Sequence, residues 1–154
     1  MTTTTQPMFR DLDAVETREL LARNHVGRIA YSFRNRVDIE PISYVYGEGA
    51  LYMRTAPGSK LVTLAHAPWV AFEVDEVNGA FDWRSVVVHG TVYLVPRTGS
   101  SAVKENYLHA VKRLRELMPD AFGDDDPVPD RRVVLKLHID TCVGREARSP
   151  STDP

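Results

Sequence analysis

The run Leu51 to Lys60, LYMRTAPGSK, concentrates groups that bind anions. Arg54 and Thr55 close a strand-like stretch, and Pro57-Gly58 turns the chain. Ser59 is placed to cap a helix whose first residue is Lys60. Free amide N–H groups and the positive end of a helix dipole meet at that point. A guanidinium, an ammonium and two hydroxyls beside them make a phosphate cradle. The same residues would also form an ordinary capped turn with surface cations. The Gly-x4-Gly-Lys spacing of a Walker loop is absent. Gly47-Glu48-Gly49 lacks the third glycine of a dinucleotide fingerprint, Tyr52 standing there, and reads as a hairpin turn.

Other chemistry is thinly represented. Five histidines occur, at His25, His66, His89, His109 and His138, and none pairs at metal-ligand spacing with another His or a Cys. Cys142 is the single cysteine, which excludes an intrachain disulfide and a Cys-rich zinc site and reads as a hydrophobe. No G-x-S-x-G elbow is present. Trp69, Trp83, Tyr44, Tyr46, Tyr52 and Phe72 all fall on strand-like segments, where aromatics serve core or interface.

The elements that must position the cradle follow from periodicity. A helix starts near Asp13, with Glu16 completing a capping box and Asn24 and Gly27 marking its end. Val26 to Phe33 and Val37 to Tyr46 read as strands around an Arg34-Asn35-Arg36 turn. Pro41 interrupts the second, so that strand is an edge, a bulge or a place where a ligand meets the backbone. Ala50 to Thr55 is a third strand, and Lys60 to Ala67 a short helix ended by Pro68. Trp69 to Val77 and Trp83 to Val95 flank a hairpin signal at Asn78-Gly79, with Gly90 as a bend. Val103, Tyr107, Val111, Leu114 and Met118 share a helical face capped by Ser100 or Ser101. Gly123 to Asp130 is an acidic, proline-broken loop. Arg132 to Asp140 alternates as a final strand. About six antiparallel strands and three helices make a mainly β fold, a small closed or split β-barrel with peripheral helices.

Composition sets the class. The chain has 154 residues and a formal net charge of -2, which speaks against a dedicated nucleic-acid binder. No apolar run approaches the roughly 20 residues that span a bilayer, and Met1 to Gln6 has no secretory character. The expectation is one cytoplasmic domain over residues 11–145, with flexible tails at 1–10 and 146–154.

The segments together resemble the pyridoxamine 5′-phosphate oxidase-like flavoproteins, nearest the branch of nitroimidazole-resistance proteins. The resemblance rests on Val26-Gly27-Arg28, Pro41-Ile42-Ser43-Tyr44, Arg54-Thr55-x-x-Gly58-Ser59-Lys60, Trp83-x-Ser85-Val86-Val87-Val88-x-Gly90 and Val143-Gly144-Arg145, from about Leu12 to Arg145. It implies an FMN-binding split barrel of antiparallel Greek-key type, acting as a homodimer with the cofactor at the subunit interface. It places phosphate contacts on Arg54, Thr55, Gly58, Ser59 and Lys60. It lays the flavin ring against the backbone of Ile39, Pro41, Ile42 and Ser43. Ser85 stands where the oxidases proper carry a glutamine that touches the ring's polar edge; serine is shorter, so the expectation there is a contact that is either absent or bridged by water. Those oxidases also carry a C-terminal extension that holds the vitamin's phosphate; Gly144-Arg145 is followed here by a polar tail, so oxidation of pyridoxamine phosphate is not expected.

The resemblance implies an FMN-dependent oxidoreductase acting on a small molecule, with Tyr44, Trp83 and His89 near the site and no assigned acid or base. A deazaflavin coenzyme on the same scaffold is an alternative, its anionic tail calling for Arg28, Arg34 and Arg36. A non-catalytic flavin or haem binder is another, with His25, His66, His89 or His138 as the haem ligand.

Overall fold

The computed structural model describes residues 6–150. Strand β1 (Met8–Asp11) leads into helix α1 (Ala14–Arg23). The Asp13 carboxylate accepts from the Glu16 amide at 2.8 Å, and the Glu16 carboxylate accepts from the Asp13 amide at 3.0 Å, the expected capping box. Leu20 and Leu21 are buried, and the Tyr44 hydroxyl donates to the Leu21 carbonyl at 2.7 Å, fixing α1 to the sheet.

Strands β2 (Val26–Phe33), β3 (Arg36–Gly47) and β4 (Ala50–Thr55) form a meander. Its two turns hold Arg34 and Asn35 at φ 52° and 64°, then Glu48 and Gly49 at φ 52° and 76°, a left-handed geometry that suits tight hairpins. Helix α2 (Ser59–His66) places Leu64 in the core and carries the chain to β5 (Trp69–Gly79), which pairs with β2. Strand β6 (Asp82–Leu94), helix α3 (Ser101–Leu117, capped by Ser100) and strand β7 (Val133–Arg148) follow. The sheet order is β1-β7-β4-β3-β2-β5-β6, and β6 also pairs with β7. Six strands therefore close into an antiparallel barrel, with β5 returning beside β2 after the β2-β3-β4 meander as in a Greek key. Inward residues such as Ile29, Leu51, Met53, Phe72, Val86, Val88, Leu135 and Leu137 fill the interior. A second cluster, Ala50, Tyr52, Ala110, Leu114 and Val134, packs α3 on the outside of β4 and β7.

Four expectations are corrected. The β5–β6 turn is Ala80-Phe81, because pairing continues past an irregularity at Val77/Gly79 to Gly79 opposite Asp82. Seven strands form rather than six. The ordered fold extends past residues 11–145: Met8–Asp11 pairs with Arg145–Arg148 as β1 on β7. Glu146 and Ala147, expected in a loose tail, are 3% and 0% exposed. The polar composition of both segments concealed this, since the charge of Glu146 is met by Arg10 at 2.6 Å and Arg84 at 3.3 Å, partners remote in sequence. The outermost parts of both expected tails lie outside the described residues. Gly90 does bend β6, at a register shift between His89 and Gly90; a Cβ there would stand 2.0 Å from the His138 carbonyl oxygen.

Candidate functional site

β3 and β4 pair only between Tyr44–Gly47 and Ala50–Met53. Beyond Tyr44, β3 continues to Arg36 with β2 alongside, while β4 pairs with β7 as far as Thr55 and then leaves for α2. The two strands part, and the split lies between the 36–43 edge of β3 and the start of α2. The Tyr44 amide donates to the His25 carbonyl on the β2 side at 2.9 Å. Alternation turns the backbone nitrogens of odd positions the other way, so Pro41 presents its nitrogen to the split, where no ladder bond is lost. Pro41 is thus a local edge residue on an interior strand, as its position in the sequence suggested.

The side chains of β3 divide by parity. Ile42 and Tyr44 enter the core. Ile39 and Pro41 are exposed on the outer face, Ile39 at 69%, and Ser43 shares that face half-buried. Glu40 belongs to the even row and forms an ion pair with the Lys60 ammonium. That bridge runs from α2 to β3 across the split.

At the start of α2, Gly58 takes the N-cap position with extended backbone (φ 168°), and no side-chain cap bond is made. Ser59, expected as the cap, is already helical and exposed, so its hydroxyl faces solvent. The first intrahelical acceptor serves Leu61, whose amide donates to the Gly58 carbonyl at 3.1 Å. The Ser59 and Lys60 amides precede it and have no intrahelical acceptor. A Cβ on Gly58 would meet nothing within 4 Å, so the space before the helix is open. Thr55 is buried at the end of β4, on the inward parity of Leu51 and Met53.

Arg54 does not join this group, which corrects the expectation. Strand alternation sends it outward with Tyr52, toward α3 and the acidic loop. Its Nη2 donates to the Asp126 carboxylate at 2.5 Å and to the Val128 carbonyl at 2.9 Å, and Nε donates to the Arg131 carbonyl at 2.8 Å. The guanidinium carbon lies 4.4 Å from the Phe122 ring centroid. The guanidinium holds the Asp126 carboxyl down at about 2.

Ser85 is half-buried on the outer barrel face, opposite Asp75 on β5 and Arg145 on β7. That face also carries two continuous rows across the strands: Ile39, Ala30, Ala71, His89 and Pro41, Arg28, Glu73, Val87. Arg28 lies 3.5 Å from Glu73 and 3.2 Å from Asp75. Burial, then the neighbouring Asp75, pushes the Glu73 carboxyl up to about 7 against the pull of Arg28. Around the charged centre, Val26, Val37, Ile39, Trp69 and Val143 are each more than half exposed.

The remaining candidates are scattered. Tyr44 is sealed in the core. Trp83 stacks obliquely on Phe9 at 6.4 Å, at the far end of β6. His89 is exposed on the outer face, bordering a shallow trough of about 300 Å³ with Trp69 and Val37. Arg34 lies over Phe33 at the hairpin tip, and Arg36 faces Asp38 at 3.5 Å. The sequence reading missed Glu40, Glu73 and Asp126. Parity along β3 and β4 was the available signal for Arg54; the partners of Lys60 and Arg54 required the folded chain.

Among the described residues no helix is long and apolar enough to cross a membrane. The pyridoxamine 5′-phosphate oxidase family profile matches residues 13–146. The chain is 28% identical over 136 residues to an uncharacterized protein of Rhizobium meliloti strain 1021, covering 87% of this chain and 88% of that one. The crystal structure of a FAD-binding protein from Mesorhizobium loti is similar at 27% identity and TM-score 0.73, over 92% of this chain and 99% of that one. A provisionally assigned 5-nitroimidazole antibiotic resistance protein from Bacteroides thetaiotaomicron shares the fold at 18% identity and TM-score 0.68, over 91% and 88% of the two chains.

Proposed function

The chain belongs to the pyridoxamine 5′-phosphate oxidase family, and from that premise we propose that it is a flavin-dependent oxidoreductase acting on a small molecule. The cofactor is the FMN unit, either as FMN itself or within FAD, held at the split between β3 and β4. The FAD form is favoured by the similarity to the Mesorhizobium loti FAD-binding protein. The observation that carries the reading is the placement of Lys60 and the open first turn of α2 opposite the proline-bearing edge of β3.

The donor set fits a phosphate. The Ser59 hydroxyl and the unused amides of the first turn lie at the helix start, the Lys60 ammonium is beside Glu40, and Thr55 stands buried at the end of β4 four residues upstream. The backbone of residues 39–43 offers a flat edge on which a planar ring rests, with Pro41 leaving no donor to satisfy. A bound flavin supplies reversible hydride or electron transfer at its ring. Ser85 lies on the same outer face but three strands from β3, in the order β3-β2-β5-β6, and is only a candidate for the ring's polar edge.

The exposed Val26, Val37, Ile39, Trp69 and Val143 form an apolar surround larger than a solvated barrel face needs. A second copy of the chain covers it, giving a homodimer with the cofactors near the interface.

The test is the visible spectrum of the purified protein, followed by titration with FMN, FAD and riboflavin. A bound yellow chromophore, or micromolar or tighter FMN or FAD binding weakened at least tenfold by Lys60→Ala with riboflavin unaffected, is the expected result. A colourless protein that takes up none of the three overturns the proposal.

A further inference from the structure

Of the two cations expected at the helix start, Arg54 is committed to Asp126 and Lys60 is shared with Glu40. The Glu40 and Lys60 side chains are 36% and 17% exposed, so an incoming ligand can reach the pair. The inner row of β3 adds more negative charge. Asp38 stands two residues from Glu40, and on the facing strand the Tyr31 phenol is pushed up by burial and then by these two carboxylates. A phosphate docked at the first turn of α2 therefore meets an ammonium with a carboxylate already beside it.

FMN and FAD carry about the same total phosphate charge but distribute it differently, so the phosphorus that docks at the helix start differs in charge. A terminal monoester bears about −1.5 to −2 at neutral pH. Each phosphorus of a diphosphate diester bears one negative charge. One additional negative charge within a few ångström of a carboxylate is worth on the order of tenfold in affinity at a partly solvated site.

We propose that Glu40 is a specificity-determining residue: by holding Lys60 across the split, it disfavours a phosphomonoester and selects a flavin whose phosphate is esterified on both sides. The inference rests on the flavin reading of this site.

The test is titration of riboflavin, FMN and FAD, followed by quenching of flavin fluorescence, into the wild-type protein, Glu40→Gln and Glu40→Ala. The wild type should favour FAD over FMN. Both variants should tighten FMN about tenfold, shift the FMN-to-FAD affinity ratio toward FMN, and leave riboflavin within twofold. An unchanged ratio in both variants, or an equal change for all three ligands, overturns the role of Glu40 while leaving the flavin site standing. Absence of binding by any flavin to any of the three proteins removes the flavin reading and this inference together.

Discussion

The Arg54 guanidinium and the Asp126 carboxylate meet at 2.5 Å with side chains only 8% and 3% exposed. This pair ties the end of β4 to the loop after α3, and the Asp126 carboxylate also accepts the Phe122 and Val128 amides at 2.8 and 3.0 Å. The arginine that precedes Thr55 is thereby a structural tether on the opposite face of its strand.

Removing either partner leaves the other charge buried and unmatched. Arg54→Ala and Asp126→Ala should each lower the thermal midpoint by on the order of 10 °C, while flavin affinity stays within about threefold. The folded-state carboxyl of Asp126 is held at about 2, below its ordinary value of 3.8. Its contribution is therefore present above that ordinary value and is lost as pH falls toward 2. Thermal melts of wild type and Asp126→Asn across that window check the sign: the variant should show the flatter acid limb.

Glu73 gives the opposite dependence. Its folded-state carboxyl titrates at about 7, above the ordinary 4.5. The folded protein disfavours its ionised form, so stability declines as pH rises from about 4.5 to about 7 and stays reduced above. The side chain is 34% exposed, so solvent screening keeps the effect modest. Glu73→Gln should melt higher than wild type at pH 8 and match it at pH 4.5. Equal melting differences at both pH values would contradict the assignment.

Gly90→Ala tests the barrel bend. The new methyl would stand 2.0 Å from the His138 carbonyl oxygen and 2.8 Å from Leu137 Cδ2, so β6 and β7 must separate. A loss of about 1–3 kcal/mol is expected from denaturant unfolding, against no steric penalty and only the smaller N-cap cost, below about 1 kcal/mol, for alanine at exposed Gly58, where nothing lies within 4 Å.

Ile39→Glu tests the apolar outer face. Ile39 is 69% exposed in the single chain, so its replacement costs the isolated fold little. Size-exclusion chromatography with light scattering should show a dimer for wild type and a monomer for the variant, with unchanged far-UV circular dichroism.

Much of this architecture was legible in the chain, because local rules governed it. The Asp13–Glu16 box, the Arg34-Asn35 and Glu48-Gly49 turns and the alternation of Val133 to Ile139 each depend on neighbours in sequence. What escaped notice depends on distant partners. Glu146 reads as tail because Arg10 and Arg84, which neutralise it, are remote. Lys60 reads as a free cation because Glu40 reaches it only after β3 folds beside α2. The Asn78-Gly79 signal was overruled by continued β5–β6 pairing, which moved the reversal to the next two residues.

Strand β7 holds β4 on one side, β6 on the other, and β1 at its end. It is also the last described strand to emerge during synthesis. Until it arrives, the valine-rich β6 and the flank of β4, every residue of which is buried in the folded chain, present bare edges, and the N-terminal strand has nothing to pair with. Assembly must therefore wait for translation to pass the Arg148 codon, and a ribosome stalled in the acidic loop would display an aggregation-prone sheet that chaperones must shield.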